Sequence, residues 1–422
     1  MKTKKLFFIV ITAILTYACS NEDSTDKTTE KFVIENEGSK TAKTQLALNS
    51  LVSSDWTSGT LSTSIVPPQE LKHLSGNLSE KPIWKSNNPE IIRGNGWLMQ
   101  NARVDSNRGG SSNPLSGTFG IYLFHINQSG STKYLHVLVS NPQTTALTIS
   151  GKGSTYTNAE KPLNGSATGQ SYFVSKDWLQ DTPRTTFSNV TINPSKVYEV
   201  YRATLSNNNM VDGSYEITAS QGVYVYTVVT STGNINDAVT ATQTAAAGDI
   251  YTEGTNAYGR EAGIYTQSGW SGTTDIDLPS GPSYMGLCLN TSSKFAVGGV
   301  YLQNQNAPYS YKLNGASQNT YGNYGHKYTL TLKLNNPNST AKNVSLTFAS
   351  NFTSGTNSPS FTFNGPLYLN GALKNIYTTP TQPAQNLATW SIPANSFFNA
   401  TITFYVPGLI TTGQQLILKQ TN

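Results

Sequence analysis

Two aspartates two positions apart, in "TTDIDLP" at 275 and 277, are residues of this 422-residue chain whose types and spacing permit chemistry. On a strand, residues i and i+2 share a face, so Asp275 and Asp277 would project together. Glycoside hydrolysis uses two carboxyl groups about 5 to 10 Å apart. Glu90 in "NNPEII" and Glu261 beside Arg260 supply further carboxylates. Each has a plainer reading. Asp275 and Asp277 suit a wet strand face, a turn or weak calcium ligation, although the Gly and further Asp spacing of a calcium loop are missing. Glu90 suits a brace for its own turn, and Arg260-Glu261 suits structural contacts. A carboxylate hydrolase would therefore need the fold to bring distant residues together.

Other reactive groups are sparse. The four histidines are His73, His125, His136 and His326, with none in an HExxH or HxH arrangement, so no metal and no cofactor is expected. His125 and His136 would fall on strands, where a histidine usually serves as a buried hydrogen-bonding group. "GWSG" at 269–272 lacks the Gly-x-Ser-x-Gly spacing of a serine nucleophile elbow. Of two cysteines, Cys288 lies between Leu287 and Leu289 and reads as a small core residue.

Aromatic residues offer a second kind of site. Trp84, Trp97, Trp270, Tyr321 and Tyr324 lie near Asn- and Gly-rich segments, with Asn323 between the last two in "NTYGNYGH". Ring faces stack on sugar C–H groups while amides read hydroxyls. The alternative is that the rings are core.

The elements that must position these groups are strands. Charged residues make up 12% of the chain and the net charge is +5 with no basic block, which argues against a nucleic-acid partner. Short runs of alternating apolar residues, such as "GTFGIYLFHI" (117–126), "KVYEVYRATL" (196–205) and "TITFYV" (401–406), are separated by Gly, Asn, Pro and Ser clusters. "KYTLTLKLNNPNSTAKNVSLTF" (327–348) alternates Leu330, Leu332 and Leu334 with polar residues up to Asn336-Pro337, then restarts at Val344, Leu346 and Phe348. "KYLHVLVSNPQTTALTIS" (133–150) repeats the pattern around Asn141-Pro142. The length exceeds one core. The chain is thus expected to be all-β, two antiparallel β-sandwich domains, Ig-like or jelly-roll-like, at 61–232 and 251–422. A linker at 233–250 would carry a short helix in "NDAVTATQTAAAG", ended by Gly248.

Residues 1–18 read as a signal peptide, with Lys2, Lys4 and Lys5 before the apolar "LFFIVITAIL". "LTYACSNEDS" resembles a bacterial lipoprotein signal, which implies lipidation at Cys19; Thr16 stands where that signal usually has Leu. The polar stretch 19–60 would be a flexible tether.

Five stretches in order, "LSEKPIWKSNNPEIIRGNGWLM" (78–99), "GTFGIYLFHI", "LHVLVSNP", "YGREAGIYTQSGW" (258–270) and "YGNYGHKYTLTLKLNNP" (321–337), resemble the bacterial domain of unknown function 3370 family. The family's paired histidine after Phe-x-x is here His125 followed by Ile126. The resemblance, over about 65–422, implies a secreted or cell-surface protein and supplies no reaction. The reading is a non-catalytic protein, lipid-anchored to the membrane of the bacterial envelope, binding an envelope glycan or another surface protein or acting structurally. The rivals are a polysaccharide hydrolase and a self-associating surface protein.

Overall fold

The computed structural model describes residues 50–103, 105, 108–350 and 362–422. Cys19, the leader 1–18 and most of the tether 19–60 lie outside the described residues. The chain is mostly β, with two α-helices among the described residues and three sheets. Strand pairing is antiparallel with a few parallel pairs, as at Gly269–Asp277 against Lys327–Asn336. None of the described helices is long and apolar enough to cross a membrane.

In the larger sheet, the strand Met210–Thr230 does the joining. Its residues 211–219 pair with both Leu115–Asn127 and Leu147–Thr157, and its residues 224–230 pair with Lys133–Ser140. A register irregularity at 219/223 separates the two parts. Side chains from both parts enter one core, including Leu123, Val137, Ile149, Ile217 and Val228. A second core takes residues from both six-stranded sheets, among them Leu332, Phe404, Leu346 and Leu418.

Pairing crosses the expected boundary at 233–250 in both directions. Asn77–Ser79 pairs with Gly269–Asp277, and Thr57–Ser58 and Leu71–Lys72 pair with Ser283–Leu289. Conversely, Ala262–Tyr265 and Tyr309–Lys312 extend the larger sheet beside Ile83–Ser86.

The two Asn-Pro stretches adopt one geometry. Lys327–Asn336 pairs with Ser396–Tyr405, whereas the next strand, Lys342–Ala349, pairs with Ala384–Ile392 and Gln414–Gln420 in another sheet. The turn is therefore a crossing between layers, with no pairing between its two flanking strands. Asn336 Nδ2 donates to Thr340 O, Ile392 O and Pro393 O, each at 2.9 Å, while its Oδ1 accepts from Asn338 N at 3.1 Å. Asn141 does the same with Thr145 O (2.9 Å), Ile192 O (2.7 Å) and Gln143 N (2.8 Å). A third copy, absent from the sequence reading, is Asn127 with Ser131 O, Leu205 O and Ser129 N. A buried amide thus fixes each crossing and ties it to the carbonyl that ends another strand.

Helix α1, Gln170–Gln180, was not legible in the sequence, because the residues it buries include Gln170, Ser171 and Ser175 as well as Val174 and Leu179. Small polar residues on a packed face erase the apolar stripe that marks a helix. α1 packs on Leu147–Thr157 and Met210–Thr230 and equally on Phe363–Leu369 and Ser396–Tyr405, so it bridges the regions that carry the two cores. Helix α2, Ile235–Ala241, starts at Asn234, whose side chain accepts from Asn236 N. It ends well before Gly248, and packs on Met210–Thr230 and Gly96–Gln100.

Candidate functional site

Alternation along the strands of the larger sheet builds the site. In Leu115–Asn127, Ile121 and Leu123 enter the first core, while Tyr122, Phe124 and Ile126 enter a separate cluster with Ile83, Tyr265 and Ala307. Tyr324 and Leu409 pack on that second cluster. The sheet is therefore covered on both faces, and its polar residues on the second face lie in a buried seam instead of in water.

Lys85 lies in this seam, fully buried, between Trp84 and Ser86, which face the other way. Its ammonium sits 3.8 Å from Glu261 Oε1 and 5.5 Å from the centre of the Tyr122 ring, with no hydrogen bond. Burial lowers its pKa to about 8 against the opposing pull of Glu261. Asn87 Nδ2 donates to Glu261 Oε2 at 3.2 Å. His326 is buried with Nε2 unpartnered, and burial, then the Lys85 charge, holds its pKa well below the ordinary value.

Asp212 is the carboxylate that sequence reasoning missed. It pairs across the sheet with Phe124 and is almost wholly buried, and burial raises its pKa to about 7. Ser171 of α1 and the Gly408 amide face the carboxylate without closing hydrogen bonds of normal geometry. Gly408 is required there, since a Cβ would strike Asp212 Oδ2 and lie 2.8 Å from Ser171 Oγ and 2.9 Å from Tyr122 Oη. In sequence, "VDGS" reads as a turn or wet strand, so nothing signalled burial.

The residues singled out from sequence are placed as follows. Trp84 and Trp97 are fully buried in the first core, and Trp270 is buried in the second, so these indoles offer no stacking face to a ligand from outside. The Arg108 guanidinium lies 5.2 Å over the Trp97 ring. Asn323 is also buried, its amide donating to Asn290 Oδ1, Gln305 O and Tyr328 Oη. It is consumed in holding its own loop and is not available to read hydroxyls. Tyr321 is buried too, donating to Glu253 Oε1 at 2.8 Å. Tyr324 is half-buried and stacks on Tyr122 with ring centres 6.2 Å apart.

Glu90 is ion-paired with Arg260, and Glu261 with Lys85. Asp275 is paired with Lys333 at 2.9 Å, and Asp277 accepts from Asn335 Nδ2 at 3.1 Å. Asp275 and Asp277 do share one strand face, the one opposite buried Thr274 and Ile276. Their strand belongs to a six-stranded sheet, whereas the strand of Lys85 belongs to the larger one. His125 is buried between Ser86 Oγ (2.9 Å) and Pro89 O (2.8 Å), and burial pushes its pKa down to about 3. His136 is engaged separately by Glu199 and Thr230. Among the described residues, no three His, Cys, Asp or Glu side chains gather as a metal-ligand group.

Of the open clefts, one of about 30 Å³ lies between the Glu80, Lys81, Trp178, Ser214, Lys327 and Tyr405 side chains, room for about one or two waters. A smaller one is also lined by Trp178, with Lys152, Asp177 and Asp181. Other rings are exposed: Phe397 is 58% exposed, and Tyr301 (69%) and Tyr309 (44%) flank Gln303 and Asn304 in "YLQNQNAPYSYK".

The profile of the family described as protein of unknown function (DUF3370) matches residues 69–168 and 180–368, more than half of the chain. The protein belongs to that family. The seam residues Lys85, Asn87, Tyr122, Asp212 and Glu261 all fall within the matched segments. No curated protein matches the chain. Among solved structures, tripeptidyl peptidase 2 is similar at 10% identity and TM-score 0.16, over 79% of this chain and 24% of that one. A tandem CBM22-1-CBM22-2 domain of Xyn10C from Paenibacillus barcinonensis is similar at 7% identity and TM-score 0.13, over 71% of this chain and 82% of that one. Scores this low carry no argument about fold or function.

Proposed function

We propose that this DUF3370 member is a non-catalytic component of a bacterial cell envelope, anchored through lipid on Cys19 after removal of a signal peptide at 1–18, with a binding or structural role. The two cores are read as two β-sandwich units, Ig-like or jelly-roll-like, interlocked by the strands that cross between 61–232 and 251–422 and by α1. The segment 233–250 is read as the connection carrying α2.

One observation carries the non-catalytic reading: the convergent polar groups lie in a seam closed to solvent, while the cleft around Trp178 has room for about one or two waters. A hydrolase on polysaccharide needs paired carboxylates in a groove that admits a chain. Here Glu90 and Asp275 are each matched to a cation.

Contact with an envelope glycan would fall on the exposed rings Tyr301 and Tyr309, with exposed Asn304 as amide partner. The test is binding of the purified protein to a panel of envelope polysaccharides. Binding to at least one, weakened at least tenfold by Tyr301→Ala with Tyr309→Ala, supports the glycan reading. Absence of binding across the panel removes it, and concentration-dependent assembly would favour self-association through strand edges. Lipidation is tested by labelled fatty-acid incorporation, expected in the natural chain and lost in Cys19→Ala.

A further inference from the structure

We propose that Lys85 and Glu261 condense to an intramolecular amide, a covalent cross-link between the strand Ile83–Ser86 and the chain entering the strand Ala262–Tyr265. These strands are antiparallel neighbours, with Ser86 opposite Ala262 and Lys85 opposite Gly263. Lys85 and Glu261 therefore project on the same face, and Lys85 Nζ lies 3.8 Å from Glu261 Oε1. The inference is independent of the binding role.

As an ion pair the arrangement is poor. Both side chains are buried, the separation exceeds a hydrogen bond, and the ammonium makes none elsewhere. Desolvation of two charges is repaid in proteins only by close, fully hydrogen-bonded geometry. The same two groups with one proton moved, a free amine and a carboxylic acid, are the reactants for an amide. Burial favours the free amine, lowering the Lys85 pKa to about 8.

The atoms balance without a co-reactant. The Nζ lone pair forms a bond to Glu261 Cδ, and negative charge gathers on Oε2, where Asn87 Nδ2 at 3.2 Å is the donor that meets it. The Cδ–Oε1 bond then breaks, and Oε1 leaves as water, carrying the carboxyl proton and one proton from Nζ. Fixed placement of amine and acid replaces a bimolecular encounter, and the site's closure to solvent disfavours hydrolysis of the product. The Tyr122 ring, 5.5 Å from Nζ, walls the site. The link would close the chain between positions 85 and 261, constraining the unfolded state as a disulfide does, where the one cysteine among the described residues, Cys288, is free and buried.

Peptide mapping of the full chain, unfolded and digested with trypsin, tests it. The proposal predicts peptide 73–93 joined to peptide 261–294, lighter than the two together by one water, with no cleavage after Lys85. Lys85→Arg, which keeps the cation but forms no such amide, is expected to give separate peptides and a lower melting temperature. Should that variant fail to fold, the natural chain decides alone. Cleavage after Lys85 with an unmodified 261–294 peptide overturns the proposal, and so does a product lighter by ammonia with Lys85 joined to Asn87.

Discussion

The strand Lys327–Asn336 and the strand Leu115–Asn127 differ in what lies on their second faces. Leu330, Leu332 and Leu334 are buried while Thr329 is exposed and Lys333 is half-exposed, so polar residues face water. From Phe119 to Asn127 both faces are buried, one by the first core and the other by the seam. Alternation means one wet face only where nothing packs on it. Where a second layer covers the sheet, the polar partners in the pattern, Lys85 and Asp212, become buried groups whose pKa values burial shifts.

The largest effect that sharpens this comparison belongs to Asp212. Its folded pKa, about 7, lies above the ordinary carboxylate value of 3.8. Between these values the folded state binds more protons than the unfolded state, so stability falls as pH rises through that window and stays reduced above it. Asp212→Asn is expected to raise stability by up to about 4 kcal/mol at pH 8, from about three pH units at 1.36 kcal/mol each, with little change below pH 4. Denaturant titrations at both pH values measure it.

Next in size, Leu332→Ala should cost about 3 kcal/mol through lost burial and a residual cavity. Asn336→Ala and Asn141→Ala should each cost about 2 kcal/mol, because each leaves the carbonyls at the ends of two segments without a donor. Similar losses in the two variants would show that the crossings are equivalent. Smallest is Thr329→Ala on the wet face, expected within about 0.5 kcal/mol of the natural chain. All three comparisons are read as midpoint shifts at constant slope.

Much of the architecture was legible in residue pattern. Strand periodicity, the near absence of helix and the correspondence around Asn141 and Asn336 are local properties, and the five stretches at 78–99, 117–126, 135–142, 258–270 and 321–337 carried the family. What was not legible depends on contacts between distant segments. The Asn-Pro sites read as turns between strands, whereas their layer crossing is decided by partners at Ile192 and Ile392. α1 hid because Ser171 and Ser175 occupy its packed face. Trp84, Trp97, Trp270, Tyr321 and Asn323 sit in polar-looking sequence, yet all are buried, since neighbours in sequence do not report what covers a strand. The exposed rings Tyr301 and Tyr309 had an available signal, the amide-rich "QNQN" between them.

The measurement that bears most directly on the covered seam is a nuclear magnetic resonance titration of the histidine ring nitrogens in the folded protein between about pH 5 and pH 8. The account predicts that His326 in the seam and His125 on the opposite face both stay neutral throughout, because burial holds their pKa values far down. Protonation of His326 near the ordinary value of about 6.5 would place that face in water and contradict the account.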